Sequence, residues 1–376
     1  MPHVAVLLAS ALVLCLGAPT WALDPDRATS QYVVTRWGAR DLPSSSVHAL
    51  LQTRDRYLWL GTAAGLVRFD GARFVSFGGG TPGFNEGGVH SLAEGIDGAL
   101  YVGTSAGALF QYRDGTFARL PVLEAAGAVR QVRTRADGSV WVAAHGRPLY
   151  RYKDGAAVHV GTRNVNAPLA VTEDGAGRLW VGTGEDGLLR IDDEKTSHQE
   201  LAIRDAIQAV HIDRAGVIWL GTPHGLLRVS GAQSRRFTTR EGLSHDNVSS
   251  LLEDRDGNLW IGTAGGGINR LSRGRFTPLT TREGLSNDHV RSLLEDHEGN
   301  LWVATADGLD CLSEGRFVTY GRLEGLVDPA VTAVTAGSTR PSSRPYVTKR
   351  PSLRQSSPSA VATQRLPSWS SSRERT

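Results

Sequence analysis

Cysteine is almost absent from this chain, with only Cys15 and Cys311 among 376 residues. Cys15 falls in an apolar run near the start, so its removal would leave Cys311 alone and exclude an intramolecular disulfide. The fold must then hold by burial and strand pairing. Long apolar runs are equally scarce. Val4 to Gly17 has the length of a signal-peptide h-region, and Thr20-Trp21-Ala22 places small residues around a cleavage point after Ala22, giving an expected signal peptide over residues 1–22. Its n-region lacks Lys and Arg, which leaves a buried N-terminal strand or an uncleaved anchor as the alternatives. Leu14 stands where a lipoprotein signal needs a small residue before Cys15, so lipidation is not expected. No other segment approaches the roughly 20 apolar residues of a membrane helix, so no further span is expected. No P-loop is present, and no catalytic residue is assigned.

Acidic residues are missing from one end. Residues 336–376 hold eight Lys and Arg against Glu374 alone, a tail of +7; subtracting it from totals of 41 basic and 38 acidic residues leaves a body of 33 against 37. A pI near 9.0 therefore describes the tail. With no interleaved aromatics for stacking, the tail gives no reason to expect a nucleic-acid partner. It holds eleven Ser and five Pro with little apolar periodicity, a composition that cannot offset its ordering entropy by burial, and it reads as disordered.

What the chain has in quantity is one block, repeated. Leu259-Trp260-Ile261-Gly262-Thr263 recurs with small changes around Trp59, Tyr101, Trp141, Trp180, Trp219 and Trp302, at steps of 42, 40, 39, 39, 41 and 42 residues. A period of about 40 accommodates four short strands with their turns, the unit of a propeller blade. The expected fold is an all-β, seven-bladed propeller over residues 31–329. In the sixth copy the strands are expected at Val248 to Leu252, Leu259 to Thr263, Ile268 to Leu271 and Arg275 to Leu279, with Asp256-Gly257 in the first hairpin. Glycine stands three residues before the aromatic in every copy except the first, which has Arg56, and two residues after it except at Ala143 and Ala304. Either position serves a left-handed turn or a close approach between blades. Gln31 to Trp37 matches the fourth strand of later copies, and is expected to clasp the ring by pairing beside Arg316 to Tyr320; an unpaired lead-in strand is the alternative. An eighth copy starts at Val331 to Val334 and stops, as a shift of reading frame would produce, or where a natural flexible tail begins.

The copies Asn247 to Thr263 and the connector Gly242-Leu243-Ser244 resemble the two-component regulator propeller repeat. Leu23-Asp24-Pro25 followed by Gln31-Tyr32 and Trp37 resembles the mature start of such sensors. The resemblance implies the periplasmic sensor region of a hybrid histidine kinase or diguanylate cyclase, with carbohydrate fragments sensed by some members, and it allows a homodimer as in the family. No sandwich module, membrane helix, kinase or cyclase signature follows the repeats, so a truncated sensor without an output domain is expected.

Specificity should lie where the copies disagree. Eleven residues before the aromatic stand His48, His90, Arg130, Leu169, Gln208, Ser249 and Arg291. The first strand of a propeller blade lines the channel, so these residues would form a polar ring suited to anionic or hydroxyl-rich ligands. A solvated wall without a partner is the plainer alternative. The turn between the second and third strands also varies, and offers His145, Arg147, Glu185, Asp186, His224 and Asp307 on the same face as the blade connections. His48 and His90 could approach each other, but no third ligand at metal spacing accompanies them, so no metal or other cofactor is expected. The resulting reading is a periplasmic or secreted sensor that binds a small molecule or oligosaccharide. Rival readings are a secreted lyase or hydrolase resembling streptogramin lyases, and a protein-interaction scaffold.

Overall fold

The computed structural model describes residue 23 and residues 31–314, apart from 123–126, 161–166, 193–194, 199–202, 204 and 232. The expected signal peptide, residues 315–329 of the expected propeller and the tail lie outside the described residues.

Among the described residues, 28 strands form seven four-stranded antiparallel sheets. Blades 1 to 6 are continuous in sequence, over residues 47–77, 89–120, 129–160, 168–198, 209–237 and 248–279. In blade 6 the strands are Val248–Glu253, Leu259–Thr263, Ile268–Ser272 and Arg275–Leu279, within one residue of the expected bounds. The first strands neighbour one another around the ring: Val47–Gln52 lies between Val89–Glu94 of blade 2 and Val290–Glu295 of blade 7. Second strands, buried on both faces, carry the repeated block.

The aromatic of each block fills the wedge to the next blade. Trp260 packs with Leu301 and Val303 of blade 7, Trp302 with Leu58 and Leu60 of blade 1, and Trp59 with Leu92 and Val102 of blade 2. The same contact recurs at Tyr101, Trp141, Trp180 and Trp219. Burying such a side chain removes roughly 150–250 Å² from water, or about 4–6 kcal/mol of transfer free energy at most. The ring is thus held by seven wedges rather than one central core.

The two glycine positions divide the two expected roles. Glycine three residues before the aromatic is a left-handed turn, as at Gly257 (φ 80°), and Arg56 adopts the same conformation at φ 69°. Glycine two residues after it permits close approach between blades: a Cβ on Gly103 would stand 2.5 Å from Val129 Cγ1 of blade 3. A further repeated residue escapes a reading centred on the aromatic. Six positions before it, Asp174, Asp213, Asp254 and Asp296 accept the indole N–H of Trp180, Trp219, Trp260 and Trp302 at 2.7–2.9 Å. Asp254 also accepts the backbone N–H of Asp256 and Asn258, so one buried carboxylate fixes both the turn and the wedge. In blade 2, where Tyr101 lacks the indole donor, Gly95 stands in place of the acid.

Ring closure corrects one expectation. Tyr32–Trp37 does join the last blade, but it pairs directly with Leu309–Glu314, in register from Tyr32 opposite Glu314 to Trp37 opposite Leu309. It is the fourth strand of blade 7 rather than a neighbour to one, and Arg316 to Tyr320 lies outside the described residues. The apolar groups explain the preference. Tyr32 is buried against the Trp260 wedge, and Trp37 stacks on Trp302 with ring centroids 5.3 Å apart.

Candidate functional site

The residue eleven before the aromatic has a backbone role that the sequence did not reveal. In blades 1, 2, 3, 4, 6 and 7 the register between first and second strands shifts at that residue. Val47 pairs with Thr62 and Ala49 with Gly61, leaving His48 unpaired; the shift recurs at His90, Arg130, Leu169, Ser249 and Arg291. In blade 5 Gln208 just precedes the strand and donates its N–H to Gly221 O. A bulge releases one residue from the ladder and re-aims its side chain. Here it brings the variable residues of adjacent blades together at the innermost strands.

Four of them converge on one arc. The rings of His48 and His90 lie with centroids 4.5 Å apart across blades 1 and 2. Across blades 7 and 1, Arg291 Nη1 stands 2.6 Å from His48 Nδ1 and 3.0 Å from Nε2, and donates to Ser46 Oγ at 2.7 Å. An imidazole that accepts from a guanidinium must be neutral. Burial, followed by the charge of Arg291, the neighbouring His90 and the charge of Arg130, brings the His48 pKa down to about 3. His90 is lowered by burial, then by Arg130 and Arg291. Burial also lowers Arg291, against the opposing charge of Asp307. The other arc is quieter. Leu169 and Gln208 carry no charge, and Ser249 donates to the carbonyls of Gly262 and Val290, tying blade 6 to blade 7.

The turns between second and third strands share a face with the blade connections. His145 N–H donates to Ala128 O, and Ala306 N–H to His289 O. His145 and Glu185 are exposed and Arg147 is half-buried, each on its own blade. His224 Nδ1 lies 3.2 Å from Asp205 Oδ1, which places it in a local cluster with Arg236. Asp307 accepts from Asn287 Nδ2 at 2.8 Å, and of these turn residues it is the one whose charge reaches Arg291. Ser46, His245 and His289 join the arc from the connectors, His289 being lowered by burial, then by Arg291 and His245. Only a comparison extended into the connectors would have singled them out.

A second concavity, with about 300 Å³ of space, opens between blades 3 and 4 beside Arg135, Asp137, Trp141, Arg151, Gly177, Leu179 and Ile191. It follows a departure from the repeat: Arg135 replaces the indole-binding acid, and Trp141 donates to Ser139 Oγ instead. Arg135 and Asp137 are already engaged. Arg135 donates to Glu173 and to Gly177 O. Burial opposes ionisation of Asp137, but bonds from Ser139 and Lys153 bring its pKa down to about 2.

Comparison with known proteins follows the repeat. The family model for the two component regulator propeller matches residues 41–64, 242–265 and 284–307, so these three copies are similar to that repeat. No curated protein matches. Among solved structures, the chain is similar to the extracellular domain of a hybrid two component system, BT3049, from B. thetaiotaomicron, at 21% identity and a TM-score of 0.66 over 76% of this chain and 42% of that one. The extracellular domain of BT4673, a one component system of the same organism, matches at 23% identity and a TM-score of 0.63, over 77% and 40% of the two chains. The chain thus spans about two fifths of these relatives. Virginiamycin B lyase from Staphylococcus aureus shares the fold at 13% identity and a TM-score of 0.63, over 75% of this chain and 99% of the lyase. No helix among the described residues is long and apolar enough to cross a membrane.

Proposed function

We propose that this protein is a ligand-sensing propeller that acts outside the cytoplasm, in the periplasm or as a secreted protein, and binds a soluble small molecule or oligosaccharide at the mouth of its central channel. The observation that carries the proposal is the coincidence of bulge and variability: the residue that six blades release from the ladder is one at which the copies disagree. A purely structural residue would follow the repeat, as the wedge aromatics do. The two component regulator repeats and the extracellular sensor domains of similar fold support the sensing role. Binding rather than chemistry is proposed because the seven positions carry no carboxylate, and a His48 pKa of about 3 is far too low for a general acid or base near neutral pH.

The test is a thermal-shift screen of soluble metabolites and oligosaccharides, repeated on a variant with His48, His90, Arg130 and Arg291 all replaced by Ala. Compounds that stabilise the parent protein are expected to lose their effect in the variant, while its own melting temperature falls by no more than a few degrees, since none of the four fills a wedge. Ligands that stabilise both proteins equally would remove the channel mouth from consideration.

A further inference from the structure

Several arginines of this propeller are held by a carboxylate of the neighbouring blade. On the face of the first hairpin turns, Arg54, Arg135, Arg214 and Arg255 each lie within 4.0 Å of a glutamate on the next blade, Glu94, Glu173, Glu253 and Glu295. At the channel mouth, no carboxylate among the described residues comes within ion-pair distance of Arg130 or Arg291. Arg291 spends its hydrogen bonds on Ser46 and a neutral imidazole, and Asp307, the acid it feels, is itself bonded to Asn287. Like charges gathered without counterions cost free energy, and these two arginines have no carboxylate partner among the described residues where side chains converge.

We propose that the channel mouth is an oxyanion site, in which a carboxylate, phosphate or sulfate group of the ligand is held by Arg130 and Arg291, with His48 and His90 completing the cradle. The inference rests on the reading of the ring as the ligand site and names the chemistry it selects. Two guanidinium groups on different blades offer planar N–H forks to one anion, a contact that Lys or a neutral polar residue could not reproduce. The groups packed around His48 are Arg291 from blade 7, His90 from blade 2 and Arg130 from blade 3; those around His90 are Arg130 and Arg291, with His289 and His245 near Arg291. All are basic. Burial, and after it the two arginine charges, keeps the imidazoles neutral; an anion offsets those charges, so its arrival favours protonation of His48 or His90. Binding then takes up protons, and affinity rises as pH falls. If one imidazole recovers its ordinary pKa in the complex, affinity rises roughly tenfold between pH 7.5 and 5.5.

The experiment measures binding of sulfate, inorganic phosphate, glucuronate and glucose by calorimetry and by imidazole NMR. It compares the full chain with Arg130→Gln, Arg291→Gln and, as a charge-matched control away from the channel, Arg275→Gln on the exposed outer strand of blade 6. Sulfate and glucuronate do not titrate between pH 5.5 and 7.5 and serve for the pH comparison. The expected result is binding of the anions over glucose, weakened roughly 10–100-fold by either channel substitution and unchanged by the control, with tighter binding at low pH. Equal binding of glucuronate and glucose, both lost in the channel variants, would overturn the anion assignment and leave the ring as the ligand site. Anion binding that the channel variants do not weaken would overturn both readings. Absence of binding by every anion would overturn the oxyanion site.

Discussion

Removing residues 1–37 is expected to abolish the monomeric, cooperatively folded state. Tyr32–Trp37 supplies the fourth strand of blade 7 and six register positions against Leu309–Glu314. Without it the wedge of blades 6 and 7 loses Tyr32, and Trp302 loses the stacked ring of Trp37. Truncating a large buried aromatic costs about 3–5 kcal/mol, so the loss of two approaches the roughly 5–15 kcal/mol that holds a whole domain folded. The exposed edge of Leu309–Glu314 would also become a template for pairing between molecules. Size-exclusion chromatography and circular dichroism should therefore show aggregates or edge-paired oligomers with a broadened melt, and a peptide spanning residues 23–40 added in trans should restore the monomer. A deleted protein that stays monomeric and melts within a few degrees of the parent would refute the closure.

Asp310→Asn is expected to stabilise the same junction. Asp310 is wholly buried on the third strand of blade 7, where it accepts hydrogen bonds from Ser286 N and Oγ. Burial raises its pKa to about 6, against the opposing pull of the Ser286 bonds and of Arg36. The sign follows from linkage. Between the ordinary aspartate value near 3.8 and the folded value near 6 the native state binds more protons than the unfolded chain, so stability falls as pH rises through that window and stays lowered above it. A shift of about two units corresponds to about 3 kcal/mol at neutral pH. Blade 6 contains the uncharged alternative: Asn269 accepts from Ser244 N at 3.0 Å and donates to Ser244 Oγ at 2.7 Å. In the Asp310→Asn variant Ser286 Oγ could still reach Thr305 Oγ1, 2.9 Å away, so the network remains satisfied. Denaturant unfolding should show a gain of about 1–3 kcal/mol at pH 7.5 that vanishes near pH 4. A loss of stability at both pH values would show that the charged carboxylate is required.

Particular residues explain what was legible in the sequence and what was not. The strands of blade 6 could be placed within a residue because each depends on local information, alternation of apolar side chains and glycine at a left-handed turn. Strand closure was legible in kind but not in position, since Tyr32 to Trp37 resembles a fourth strand whichever neighbour it takes. The choice of Leu309–Glu314 depends on packing against Trp302 and Trp260, residues 265 and 228 positions away from Trp37 and Tyr32. The acid six residues before the indole was visible as a repeat, and its exchange for Gly95 beside Tyr101 is a compensated pair that a comparison of the copies could have found. The bulge was not visible, because the −11 position has no constant residue type; His48, Arg130 and Leu169 share only a backbone conformation. The variability that suggested a ligand ring and the bulge found at the same residues are one feature, seen once through side chains and once through register.

The division of labour between repeated and variable residues can be measured directly by alanine substitution at each of the seven positions, His48, His90, Arg130, Leu169, Gln208, Ser249 and Arg291, scoring every variant for melting temperature and for affinity toward glucuronate. Losses of affinity confined to His48, His90, Arg130 and Arg291, with melting temperatures close to the parent, are the predicted result. Seven variants that lose stability together while binding is unchanged would show that the ring is a structural lining and not a site.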